Sequence, residues 1–141
     1  MPYKFIEHTA DVAVEVEGST LEELFISAFS AWKEIVMGTN SQSREQSKKF
    51  LFSSKTLEEL LIEFLSELNY QLYTKKWIIN FINKILIHKV NENYHLDVEV
   101  FGESIKKKDY VIKEEIKAVT FHKMKIEEKN GNFSTIIVFD I

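Results

Sequence analysis

The sequence predicts an α+β domain, residues 1–141, in which two amphipathic helices pack on a largely antiparallel β-sheet or sheet sandwich. Three observations carry that expectation. The tetrapeptide Thr-Leu-Glu-Glu occurs at Thr20 and again at Thr56, each time opening a run of apolar residues at helical spacing. Runs outside those two segments alternate apolar and polar residues with a period of two, as strands with one wet face do. Finally, Asn130-Gly131 between two such runs is the strongest hairpin signal in the chain.

Taken in order, Tyr3–Ile6 reads as a short strand, followed by a turn over His8-Thr9-Ala10-Asp11. Val12, Val14 and Val16 then alternate with Ala13, Glu15 and Glu17, and Asp11 shares the parity of the glutamates, away from the core. Gly18-Ser19 breaks the strand. In the capping box from Thr20, the hydroxyl and the Glu23 carboxylate can satisfy orphan amides of a helix start. Leu21, Leu24, Phe25, Ala28, Trp32, Ile35 and Val36 form its apolar stripe, and Gly38 closes it. Thr39–Ser47 is a polar loop and Lys48–Phe52 a strand.

The second box opens a helix with Leu57, Leu60, Leu61, Phe64, Leu65, Leu68 and Leu72 inward, ending near Lys75. The shared motif admits an internal duplication, but capping chemistry recurs independently and explains it as well. From Trp77 the helical period disappears. Trp77–Val90 and Tyr94–Val100 are strands joined by a turn at Asn91-Glu92-Asn93, and Gly102-Glu103 leads into the loop of Lys106-Lys107-Lys108. Ile116–Glu127 and Phe133–Phe139 form the last pair of strands. Trp32 and Trp77 are read as core residues.

Composition narrows the function classes. An apolar share of 45% with mixed charge describes a packed globule rather than a disordered chain. With no cysteine, disulfides, thiolate zinc and cysteine catalysis are excluded, and a cytoplasmic protein is expected. No apolar run approaches the ~20 residues of a membrane span, and the first residues lack a signal-peptide pattern. The net charge of −4 argues against autonomous gripping of a phosphate backbone. Gly-rich phosphate loops, His-Glu-x-x-His, a nucleophile elbow and an EF-hand loop are all missing. His88 and His95 flank a turn without further metal-ligating partners nearby in sequence.

Two short stretches concentrate the remaining chemistry. Glu7-His8-Thr9-Ala10-Asp11 packs an imidazole, a hydroxyl and two carboxylates between strands, and the sequence stops on Phe139-Asp140-Ile141. If the fold brings these stretches together, Asp11, Asp140 and the α-carboxylate of Ile141 supply three anionic oxygen donors for a hard cation such as Ca²⁺ or Mg²⁺. The plainer alternatives are a carboxylate bonded to its own turn for Asp11 and an exposed residue on a fraying terminus for Asp140. His8 is either a ligand, an orienting partner of Asp11, or an ordinary turn or core histidine. In Lys117-Ala118-Val119-Thr120-Phe121-His122, strict alternation sets Lys117 and His122 on opposite faces. Both serve one site only if a bulge intervenes or one acts from behind the other. Otherwise His122 joins Ala118, Thr120 and Met124 as a hydrogen-bonded core histidine.

These pieces together resemble the archease family. The correspondence includes His8-Thr9-Ala10-Asp11-Val12, Thr20-Leu21-Glu22-Glu23-Leu24, Leu57-Glu58-Glu59-Leu60-Leu61 with Glu67-Leu68, Gly102-Glu103, Lys117 through His122, and Asp140-Ile141. The chain departs from the family's usual glycine at Ala13 and its common tyrosine at Phe121. The resemblance implies a non-catalytic accessory protein that activates an RtcB-type tRNA-splicing RNA ligase by promoting its guanylylation and turnover. That ligase joins a 3′ or cyclic phosphate end to a 5′-hydroxyl using GTP and a divalent metal. The resemblance also implies an alternative partner, a tRNA methyltransferase, served as chaperone or specificity modulator. It implies a divalent metal, Ca²⁺ first with Mg²⁺ or Mn²⁺ as alternatives, on the residues matching Asp11, Asp140 and the Ile141 carboxylate. Lys117 then belongs to the functional set, with His8 and His122. The rival from another class is a small metal-dependent phosphoester hydrolase with His8 or His122 as general base.

Overall fold

The computed structural model describes residues 2–6, 11–37, 44–105, 112–120 and 124–141. Gly38, the lysine triplet at 106–108, His8 and His122 lie outside the described residues. Strands β1 (Tyr3–Ile6) and β2 (Asp11–Gly18) precede helix α1 (Leu21–Val36), strand β3 (Gln46–Ser54) and helix α2 (Leu57–Tyr73). Strands β4 (Trp77–Val90), β5 (Asn93–Ser104), β6 (Ala118–Thr120), β7 (Glu127–Lys129) and β8 (Asn132–Asp140) complete the described elements. They form two antiparallel sheets. One runs β1-β2-β8, with β6 and β7 sharing the far flank of β8; the other runs β3-β5-β4.

Both threonines cap their helices. Thr20 and Thr56 accept the amides of Glu23 and Glu59 through their hydroxyls, each at 3.1 Å. The Glu23 carboxylate reaches one residue further back than the motif requires, taking the amide of Ser19 at 2.7 Å and also its hydroxyl. Those bonds hold the Glu23 carboxyl below its ordinary pKa. The stripe residues Leu24, Phe25, Ala28, Trp32, Leu60, Leu61, Leu65 and Leu72 are fully enclosed. Helix α1 contacts both sheets and α2, which explains why Phe29 and Ala31, off the expected stripe, are buried too. Helix α2 stops at Tyr73, short of Lys75, and β3 starts at Gln46 inside the stretch read as loop.

The hairpin at Asn130-Gly131 is a two-residue turn with φ of +53° and +80°, the primed geometry that matches strand twist. At Gly102 a side chain would run into the Ile78 carbonyl and the Trp77 ring, so the absent Cβ lets β4 and β5 close. Ala13, expected on the wet face of β2, is covered by its register neighbours Ile6 and Val138.

The expected single strand Ile116–Glu127 is in fact two. Thr120 pairs with Val138 and Glu127 with Ser134, so seven steps along one strand meet four along β8. Side chains replace the missing ladder there. Ile126 donates its amide to Glu58 of α2 at 2.8 Å, and the Lys125 carbonyl accepts from the Thr135 hydroxyl at 2.8 Å. Lys117 lies before the first β6 pair and His122 outside the described residues, so their relative facing is not defined by the ladder.

Lys33 is 4% exposed on α1, and Glu103 on β5 is 1% exposed. The ammonium donates to the carbonyl and side-chain oxygen of Asn80 at 2.9 and 3.2 Å. Burial, partly opposed by Glu103, lowers the Lys33 pKa to about 8 from 10.5. Between those values the unfolded chain holds a proton that the folded chain has released. The penalty of the buried charge is therefore full below the folded pKa and fades as pH rises toward the unfolded one. Stability of the wild type relative to Lys33→Met should rise by on the order of 1–3 kcal/mol between pH 8 and 10. Paired thermal melts measure it, and taking the difference cancels other titrating groups. A pH-independent difference would contradict the assignment.

Candidate functional site

Core packing decides which side chains the end of the first sheet presents. Val14 and Val16 on β2, and Ile137 and Phe139 on β8, are buried, so the alternate residues Asp11, Glu15, Ile136 and Asp140 occupy the opposite face. Asp11 and Asp140 are direct register partners across the β2–β8 ladder. Directly opposed residues share a face with their Cβ atoms about 4.5–5.5 Å apart. Both aspartates are half-buried.

The other flank of Asp140 belongs to β6. Ala118 is its register partner there, and the Lys117 amide donates to the Asp140 carbonyl at 2.7 Å. Lys117 itself is exposed. Ile141 is half-buried with its side chain against the core, so Asp140 lies on a docked strand rather than on a fraying end. Lys117 and Ile141 line one open cleft of about 670 Å³ together with Tyr73, Lys76 and Lys113. Lys76 adopts a φ of +56° in the turn from α2 to β4. Tyr73, Lys76 and Lys113 carried no sequence signal. Their spacing is unremarkable, and the fold alone brings them beside the last residue.

The structure thus brings Asp11, Asp140, Lys117 and Ile141 to one end of the first sheet. His8 and His122 lie outside the described residues. His88 and His95 stack across β4 and β5 with ring centroids 5.3 Å apart, on the other sheet. Among the described residues no three His, Asp or Glu side chains converge as metal ligands. Beyond the two aspartates, the Ile141 carboxylate or a backbone carbonyl offers oxygen of the right chemistry for a cation there. The residues present fit a hard divalent ion. Like charges directly opposed across strands are destabilising, and oxygen donors are what Ca²⁺ and Mg²⁺ take.

With a chelator present, Asp11→Asn should raise stability by about 0.2–1 kcal/mol, because it removes one of two facing charges. Differential scanning calorimetry with and without Ca²⁺ checks it. Stabilisation by Ca²⁺ in the wild type and not in the variant is the expected second arm, and a destabilised variant in chelator would contradict the facing-charge geometry.

The model of the Archease protein family (MTH1598/TM1083) matches residues 3–141. Protein archease of Methanosarcina mazei is 30% identical over 139 residues, covering 99% of this chain and 95% of the relative. Protein archease of Pyrococcus furiosus is 31% identical over 140 residues, covering 99% and 98%. The solution structure of Methanobacterium thermoautotrophicum protein 1598 superposes with a TM-score of 0.83 at 28% identity, covering 99% of each chain. A crystal structure described as an archease, possible chaperone, from Thermotoga maritima superposes with a TM-score of 0.60 at 25% identity, covering 98% of this chain and 96% of that one.

Proposed function

The chain belongs to the archease family, and we propose that it acts as a divalent-metal-binding accessory protein that activates an RtcB-type tRNA-splicing RNA ligase, without being an enzyme itself. The observation that supports this reading furthest is the pairing of Asp11 with Asp140. Two carboxylates set opposite each other by a hydrophobic register supply two anionic oxygen donors on one face, the donor type that Ca²⁺ and Mg²⁺ take. Asp11, Asp140 and the Ile141 carboxylate are the proposed ligands, Ca²⁺ the proposed ion, with Mg²⁺ and Mn²⁺ as alternatives. When bound, the ion supplies positive charge that offsets the facing anions.

Lys117, exposed beside Asp140, offers a cation to the partner, and His8 and His122 complete the proposed functional set. Promotion of ligase guanylylation and turnover is the proposed activity, in the cytoplasm, with no RNA grip of its own. The description of the Thermotoga relative as a possible chaperone favours a second reading, a chaperone role; the family resemblance supplies its proposed client, a tRNA methyltransferase, with specificity modulation as the variant. The hydrolase reading would need His8 or His122 as its base, and no observation favours it.

A guanylylation assay of the ligase with this protein, repeated with chelator, tests the leading reading. Stimulation should require the divalent ion, and Asp11→Ala or Asp140→Ala should remain folded and lose about tenfold or more of it. Normal stimulation by both variants would end the metal-linked reading. Residues appended after Ile141 turn an anionic donor into a neutral carbonyl and should weaken Ca²⁺ binding in a calorimetric titration. Unaltered affinity would remove Ile141 from the ligand set.

A further inference from the structure

We infer that Asn69 and Tyr73 of α2 are positioning residues for the site, holding the backbone of Ile116 so that Lys117 and Asp140 stay side by side. The inference rests on the reading above that Lys117 and Asp140 act together. The stretch 112–117 has no regular structure, and the β6 ladder begins only at Ala118. Left to itself, Lys117 would be a loop residue.

Ile116 is instead fixed on every side. Its amide donates to the Tyr73 hydroxyl at 3.0 Å, its carbonyl accepts from Asn69 Nδ2 at 3.2 Å, and its side chain is 1% exposed. The next amide, that of Lys117, bonds the Asp140 carbonyl at 2.7 Å. The helix therefore holds one residue and the ladder holds its neighbour. Asn69 and Tyr73 are four residues apart and share a face of α2.

The orientation of the Asn69 amide is dictated from further back. Trp32 on α1, with no exposed surface, donates its indole N–H to Asn69 Oδ1 at 2.6 Å. That leaves Nδ2 as the donor toward Ile116, as the observed bond requires. On the Tyr73 side, burial pushes the phenol above its ordinary pKa, so it remains an O–H group that accepts from Ile116 and lies 3.5 Å from the Glu114 carbonyl. A continuous run of hydrogen bonds leads from α1 through α2 to the residue before Lys117.

The test uses the full chain with Tyr73→Phe and, separately, Asn69→Asp. The second keeps the oxygen that serves Trp32 and removes the donor to Ile116. Amide exchange followed by NMR should show the Lys117 amide exchanging roughly tenfold faster in both variants, while β2–β8 amides keep their protection. Well below the melting temperature, Ca²⁺ affinity should fall roughly tenfold in the same variants, a change a merely structural role would not produce. Unchanged protection at Lys117 in both variants overturns the inference, as does loss of protection throughout the sheet. Local loss with unaltered Ca²⁺ affinity overturns the positioning role and leaves the metal site standing. A wild-type chain that binds no Ca²⁺ sinks the metal reading, and the exchange result still decides whether α2 holds Lys117 against Asp140.

Discussion

Strand β8 is hydrogen-bonded on both flanks, and the rest of the molecule depends on that constraint. β2 runs along one side of it for its full length, and β6 and β7 share the other. The register is set by hydrophobic burial. A slip of one residue would turn Ile137 and Phe139 out to solvent and bring Ile136 and Asp140 into the core. The same apolar packing that stabilises the sheet sets the two aspartates opposite each other across the ladder, and the proposed site rests on that register.

A second theme is the use of carboxylates at helix starts as struts. In each Thr-Leu-Glu-Glu motif the second glutamate lies near the cap, and the first reaches a strand. Glu22 accepts the Ile87 amide of β4 at 2.9 Å, and Glu58 accepts the Ile126 amide just before β7 at 2.8 Å. Equivalent positions of the two helices therefore satisfy one backbone donor of β4 and one of the segment leading into β7. A charged acceptor makes a stronger hydrogen bond than a neutral one, and each amide taken this way is one that the ladders leave unpaired.

The sequence carried the local grammar well. Caps, apolar stripes, the Asn-Gly turn and the alternation of β2, β5 and β8 all rest on neighbouring residues, and the structure follows them closely. What could not be read locally depends on distant partners. Just before β7, Ile126 and Lys125 bond to the side chains of Glu58 and Thr135, partners far off in sequence. Nothing in the sequence around Lys33 signals its burial, which the placement of Asn80 and Glu103 makes tolerable. For the site, parity alone put Asp11 away from the core. That its opposite number would be Asp140 came from the family resemblance, since nothing in either stretch specifies a partner almost the whole sequence away.

That separation has a kinetic side. Pairing β2 with β8 closes a loop nearly as long as the chain, a non-local contact of the kind that slows folding. Until β8 arrives, the β1–β2 ribbon presents an open edge lined by Val14 and Val16, a template for wrong partners. The aspartate pair thus depends on the pairing that spans the greatest sequence separation among the described strands.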